Sequence, residues 1–315
     1  MTLTRRSLLK ASGVTGGSAI IGSIAGCSSL SGSNSTSITA ASMQWTEAKL
    51  MGYLGYESLR ANTDYTIEDE IGLGGSQQCF QAVKNQEVDL YHLYTGGAYA
   101  TIPPKHTEKP ESPQEAYEVA KQDLAEEHNL SYLERAQFNN TYSIALRPGF
   151  QEETGLDTIS GFAEYLSSGN TDITVVLGPE FAERSDGWPG LVDAYGFSDA
   201  VSDVNIRKIG ANLTYQVLGE GEAEAGMVFT TNPKIRQYDL VTLEDDENFF
   251  LPYNPAPLVN SESLSEAPEI EEALNEPMRS LDSESKVIEL NARISNDGEE
   301  VQAVARDFLE TEGII

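Results

Sequence analysis

The sequence predicts an α/β protein with two lobes and a cleft between them. Apolar runs of strand length alternate with amphipathic helical stretches, the pattern restarts at Tyr142, and extended segments join the two units. Residues 37–41 read as a strand and 46–59 as a helix opened by Thr46. A strand at 65–72, a helix at 76–85, a strand at 88–94 and a long helix at 113–128 behind the cap Ser112 complete the first run. After the restart, strands are predicted at 142–147, 172–177, 204–209 and 223–229, with helices at 159–167, 191–195 and 213–219. One more strand, a proline-rich crossing at 252–257 and three helices follow Leu240. The alternation predicts mostly parallel sheets, with 38–141 and 231–315 in lobe 1 and 142–230 in lobe 2. Ligands of such sheets sit at the carboxyl ends of the strands.

The first 27 residues read as an address. Arg5 and Arg6 precede a short apolar stretch, too rich in Gly and Ser to span a bilayer, that ends at Ala25-Gly26-Cys27. This order predicts a twin-arginine export signal, a lipobox, and Cys27 as the lipid attachment site. Residues 28–37 form a serine-rich tether, so the folded part is expected to work outside the cytoplasm, close to the outer membrane face.

Fifty Asp and Glu against 20 Lys and Arg give a net charge of −30, and removal of the signal takes Arg5, Arg6 and Lys10 but no acid. Such a chain repels nucleic acid, which excludes it as a partner. The acids are spread among apolar residues making up 39% of the chain, which speaks for a folded protein. Self-repulsion of this size is tolerated where molar salt shortens the Debye length to about 3 Å, so a salt-loving source is expected. Lipidation of Cys27 would leave Cys79 alone, with no disulfide. His92, His106 and His128 have no metal-ligand spacing, so no metal site is expected. There is no nucleophile elbow, Walker loop or zinc motif, so no enzyme and no cofactor are expected. Gly72-Leu73-Gly74-Gly75-Ser76 lacks the Lys of a phosphate loop and reads as a tight turn.

Polar and aromatic residues gather where the cleft is expected. Tyr91-His92-Leu93-Tyr94-Thr95-Gly96-Gly97 ends one strand, Asn139-Asn140-Thr141-Tyr142 opens another, and 180–187, Tyr215 and Phe229 follow later ones. Taken singly, Tyr94 and Tyr142 fit equally well as boundary tyrosines with buried rings and wet hydroxyls. Arg184, flanked by Glu180, Glu183 and Asp186, reads on spacing alone as a loop ion pair sooner than as a ligand contact.

Several of these stretches, in order, resemble the osmoprotectant-binding proteins of ABC importers for glycine betaine, choline and carnitine. The matching runs are 90–96, 140–142, Glu180-Phe181-Ala182-Glu183-Arg184-Ser185-Asp186-Gly187, 243–246, Pro252-Tyr253-Asn254-Pro255-Ala256-Pro257 and Leu290-Asn291. The resemblance implies a type II periplasmic-binding-protein fold, a monomer that passes its ligand to an ABC permease with its ATPase. It further implies a cage of aromatic rings around a trimethylammonium group, with Tyr94, Tyr142, Tyr215 and Phe229 in the cage positions. Arg184 takes the place of the carboxylate-gripping arginine, with Glu180 the acid before it. Asn140 corresponds to an aspartate near the cage, and Thr95 belongs to the same motif as Tyr94. Two positions depart from the pattern: Met43 stands for a carboxylate-binding lysine and Gly97 for a threonine. Fewer carboxylate donors leave choline, carnitine or another small solute as alternatives to glycine betaine. A surface hydrolase finds no nucleophile–base pair in the chain.

Overall fold

The computed structural model describes residues 37–315. The signal, Cys27 and the tether up to residue 36 lie outside the described residues; Ser37 already opens the first strand. Two five-stranded sheets form the two lobes. In lobe 1 they run in the order β2 (Thr66–Gly74), β1 (Ser37–Met43), β3 (Leu90–Tyr94), β10 (Pro255–Asn260), β4 (Leu130–Tyr132). In lobe 2 the order is β7 (Asn205–Lys208), β6 (Thr174–Leu177), β8 (Ala225–Phe229), β5 (Tyr142–Leu146), β9 (Val241–Thr242).

The sheets are mixed rather than mostly parallel. β1 runs parallel to β2 and β3, and β6 to β7 and β8, as strand–helix alternation demands. β10 and β5, the strands that follow a crossing between lobes, insert antiparallel to β3 and β8. The lobe boundary also moves. β9 pairs with β5 through Ala145–Thr242, so lobe 2 extends past the expected end at 230 to at least Thr242.

The proline-rich crossing at 252–257 turns out to end in a strand. Proline lacks a ladder donor, so Pro255 and Pro257 argue against a central strand. Their carbonyls accept from Ala136 N and Leu133 N, on the side away from β3. Alternate residues of a strand bond to opposite sides, so the missing N–H groups do not weaken the ladder to β3. Four helices, not three, follow this strand.

Helix α1 (Thr46–Asn62) packs on one face of the first sheet against the helices Ile270–Ser280 and Val301–Thr311; α2 (Ser76–Lys84) covers the opposite face. One apolar cluster runs from Phe80, Tyr91 and Tyr94 in lobe 1 to Tyr142, Val175 and Phe181 in lobe 2. The lobes are therefore in contact. Cys79 is free and buried within this cluster.

Candidate functional site

Tyr94 is the last residue of β3, Tyr142 the first of β5 and Phe229 the last of β8. Tyr142 and Phe229 are direct partners across the β5–β8 ladder, and their ring centroids lie 5.1 Å apart. Cross-strand partners on one face are the natural place for an aromatic pair. Tyr253, just before β10, meets Tyr142 edge-on at 5.1 Å. Trp45, just before α1, stacks on Phe229 at 6.0 Å and lies 6.4 Å from Tyr94. These five rings line one pocket. Asn140, Arg184, Tyr91, Met43 and Gly97 share the lining. Gly96 admits the Tyr253 ring: a Cβ there would come within 2.7 Å of it.

Arg184 lies with its guanidinium carbon 6.0 Å from the Tyr142 ring centroid. Its Nε donates to Asp186 Oδ1 at 2.8 Å and its Nη2 to Asp186 Oδ2. Asp186 also accepts the Tyr253 hydroxyl, a bond between the lobes. One fork of Arg184 is thus taken, leaving the Nη1/Nη2 edge, where the contacts to Glu180 and Tyr253 are long at 3.5 and 3.4 Å.

Three expected ligand residues lie elsewhere. Tyr215 is fully buried in a separate cluster with Ala145, Val176 and Leu218, on the other side of β8. Its hydroxyl accepts the Phe229 N–H at 2.8 Å, so it supports a cage ring from behind and is not one. Thr95 donates to Pro252 O at 2.8 Å and accepts from Asn254 N at 3.0 Å, pinning the crossing strand. Glu180 caps α2 from the opposite lobe: its carboxylate accepts Ser76 N at 2.9 Å and Ser76 Oγ at 2.7 Å. That helix has no side-chain cap of its own, and an anion suits its N-terminus. A Cβ at Gly75 would come within 2.6 Å of Glu180 Oε1, so the glycine-rich turn cradles a carboxylate of the protein itself.

Glu47, in the first turn of α1, is 4% exposed and central to the site. It accepts from the Tyr94 hydroxyl at 2.8 Å, Asn140 Nδ2 at 2.7 Å, Asn291 Nδ2 at 2.8 Å and the Thr231 hydroxyl. Burial pushes its carboxyl up, against the downward pull of these four hydrogen bonds. The network ties α1 to a cage tyrosine and to two segments, at Asn140 and Thr231, that border lobe 2. An acid early in a helix reads as a dipole partner, and nothing local distinguishes Glu47 from that. Trp45 and Tyr253 also escape a reading by strands, since both lie just outside them. For Tyr253 the available signal was its place in the run Pro252-Tyr253-Asn254-Pro255-Ala256-Pro257.

Residues 36–311 match the family described as the substrate binding domain of the ABC-type glycine betaine transport system. This chain belongs to that family. The glycine-betaine-binding protein of Pseudomonas aeruginosa is 30% identical over 251 residues, covering 78% of each chain. The chemotactic signal transduction system substrate-binding protein CosB of Halobacterium salinarum is 29% identical over 287 residues, covering 89% of this chain and 85% of its own. The ligand-free structure of YehZ from Escherichia coli superposes with a TM-score of 0.62 at 27% identity, covering 88% of this chain and 99% of YehZ. As a family member the chain is the substrate-binding protein of a glycine betaine/choline/carnitine-type ABC transporter, built as a two-lobed α/β binding protein and not as an enzyme. Among the described residues, no helix is long and apolar enough to cross a membrane.

Proposed function

We propose that this protein captures glycine betaine outside the cell and hands it to an ABC permease with its ATPase, held at the membrane by lipid on Cys27. The observation that carries the ligand assignment is the set of five rings, Trp45, Tyr94, Tyr142, Phe229 and Tyr253, around one pocket between the lobes. A quaternary ammonium has no N–H to donate, so acceptors recognise it poorly. Ring faces attract its diffuse charge, each worth roughly 0.5–2 kcal/mol when desolvated. Five rings supply at most about 10 kcal/mol gross, against the ~8 kcal/mol net of a micromolar site. Contacts to the other end of the ligand must offset the ordering costs. Trp45, Tyr94, Tyr142, Phe229, Tyr253, Asn140 and Arg184 are the ligand residues; Glu180, Thr95 and Tyr215 hold them in place. A closed pocket also keeps these contacts out of reach of salt screening, which matters for an acidic protein at high ionic strength.

Choline is the second reading, and the bidentate Arg184–Asp186 pair favours it. With Asp186 and Glu180 beside it, Arg184 presents little net positive charge to a carboxylate. Titration calorimetry on Arg184→Lys separates the two readings. For glycine betaine, loss of the planar fork is expected to cost about tenfold in affinity, with choline changed less than about threefold. Equal losses for both ligands would mean that Arg184 holds no carboxylate, and choline would replace betaine as the assigned ligand.

A further inference from the structure

We propose that the Tyr91 hydroxyl is the free carboxylate donor of this pocket and sets its preference for a zwitterion over a plain cation. The inference rests on the betaine reading. Tyr91 lies on β3, three residues before Tyr94, with no exposed surface, and it lines the same pocket as Met43 and Arg184. Its hydroxyl is buried without a hydrogen-bond partner among the described residues. Folded proteins rarely leave such a group unpaired, because the lost hydration is not returned.

The neighbouring tyrosines sharpen the contrast. Tyr132 donates to Leu93 O at 2.8 Å, Tyr117 to Leu133 O at 2.7 Å, and Tyr94 to Glu47 at 2.8 Å. Tyr253 donates to Asp186, and Tyr215 serves Phe229 N. The unpaired hydroxyl belongs to a residue of the pocket wall.

Trp45 Nε1 is also buried without a partner on this pocket, but it belongs to the ring that stacks on Phe229, while the donors beside Arg184 are mostly committed. Asp186 takes the Nε/Nη2 fork of Arg184, and Ser76 Oγ is spent on Glu180. Met43 offers a thioether, and Gly97 offers no side chain. An incoming carboxylate, with about four lone-pair sites, therefore needs a donor beyond the open edge of Arg184. Tyr91 and Arg184 line the same pocket, so one ligand can touch both. Burial also holds the phenol well above its ordinary range, so it remains a neutral donor at any working pH.

This assignment predicts opposite effects on binding and on stability. Tyr91→Phe removes an unpaired hydroxyl, so the unliganded protein should melt at an unchanged or higher temperature. The same change should weaken glycine betaine about tenfold or more, the loss of one hydrogen bond to a charged group, and choline less than about threefold. Titration calorimetry with both ligands and calorimetric melting of the free protein supply the readouts. Wild-type betaine affinity in Tyr91→Phe would overturn the role of Tyr91 and leave the betaine reading standing. A lowered melting temperature with both ligands weakened alike would make Tyr91 a packing residue and overturn the proposal. A wild-type protein that binds no betaine would overturn the betaine reading and this inference together.

Discussion

Replacing Tyr142 with leucine is expected to weaken glycine betaine binding about 30-fold or more, with the protein still folded. Tyr142 sits at the centre of the aromatic wall: Phe181 at 4.8 Å, Phe229 and Tyr253 at 5.1 Å, and the Arg184 guanidinium carbon at 6.0 Å. Leucine keeps much of the apolar volume, so the surrounding rings lose little packing. It has no π-face, and the loss of one desolvated cation–π contact, about 2 kcal/mol, sets the expected factor. Titration calorimetry reads the affinity and circular dichroism the fold. Unchanged binding in a folded variant would remove Tyr142 from the site and leave the cage without its centre.

Glu47→Met should be the most destabilising single change in the cleft, at about 4 kcal/mol. Methionine fills similar space but accepts nothing comparable to a carboxylate, which strands the Tyr94 and Thr231 hydroxyls and the amides of Asn140 and Asn291. Each stranded buried donor costs about 1–3 kcal/mol, partly offset by no longer burying a carboxyl group, which gives the ~4 kcal/mol above, or roughly 10 °C in Tm for a chain of this size. Glu47→Gln should cost far less. Asn140 Oδ1 and Asn291 Oδ1 are unpaired, so either amide can turn to accept from the new NH₂ group. Scanning calorimetry of the two variants decides the matter. Equal melting temperatures for wild type and Glu47→Met would show that the network contributes no net stability. The same variant should bind betaine more weakly, because Tyr94 loses the acceptor that orients it.

The architecture was legible where periodicity alone carries it. Strand–helix alternation located β1 to β3, β5 and β8, and the restart at Tyr142 marked the second lobe. It failed at β10, because a rule about proline in strands depends on which side of the strand the missing donors face. The strand expected beyond Leu240 is present as β9, but its place in lobe 2 shows only through its pairing with β5.

At the site, order along the chain located Tyr94, Asn140, Tyr142, Arg184 and Phe229, all of which line one pocket. Position in a motif does not say which way a side chain points. Tyr215 faces the far side of β8, Glu180 reaches across the cleft to Ser76, and Thr95 turns to the crossing strand. Glu47, Trp45 and Tyr253 gain their meaning from tertiary contacts between segments far apart in sequence, which one chain read linearly does not display.

The central claim is that rings from both lobes hold a permanent positive charge. Its most direct test compares glycine betaine with tert-butylacetate, the same shape with carbon in place of the charged nitrogen, by titration calorimetry on the wild-type protein. Loss of the charge removes the cation–π attraction of several rings while leaving the methyl groups and the carboxylate in place, so tert-butylacetate is expected to bind about 100-fold or more weakly. Equal affinity for the two would mean that the pocket recognises shape alone, and the aromatic cage would be contradicted.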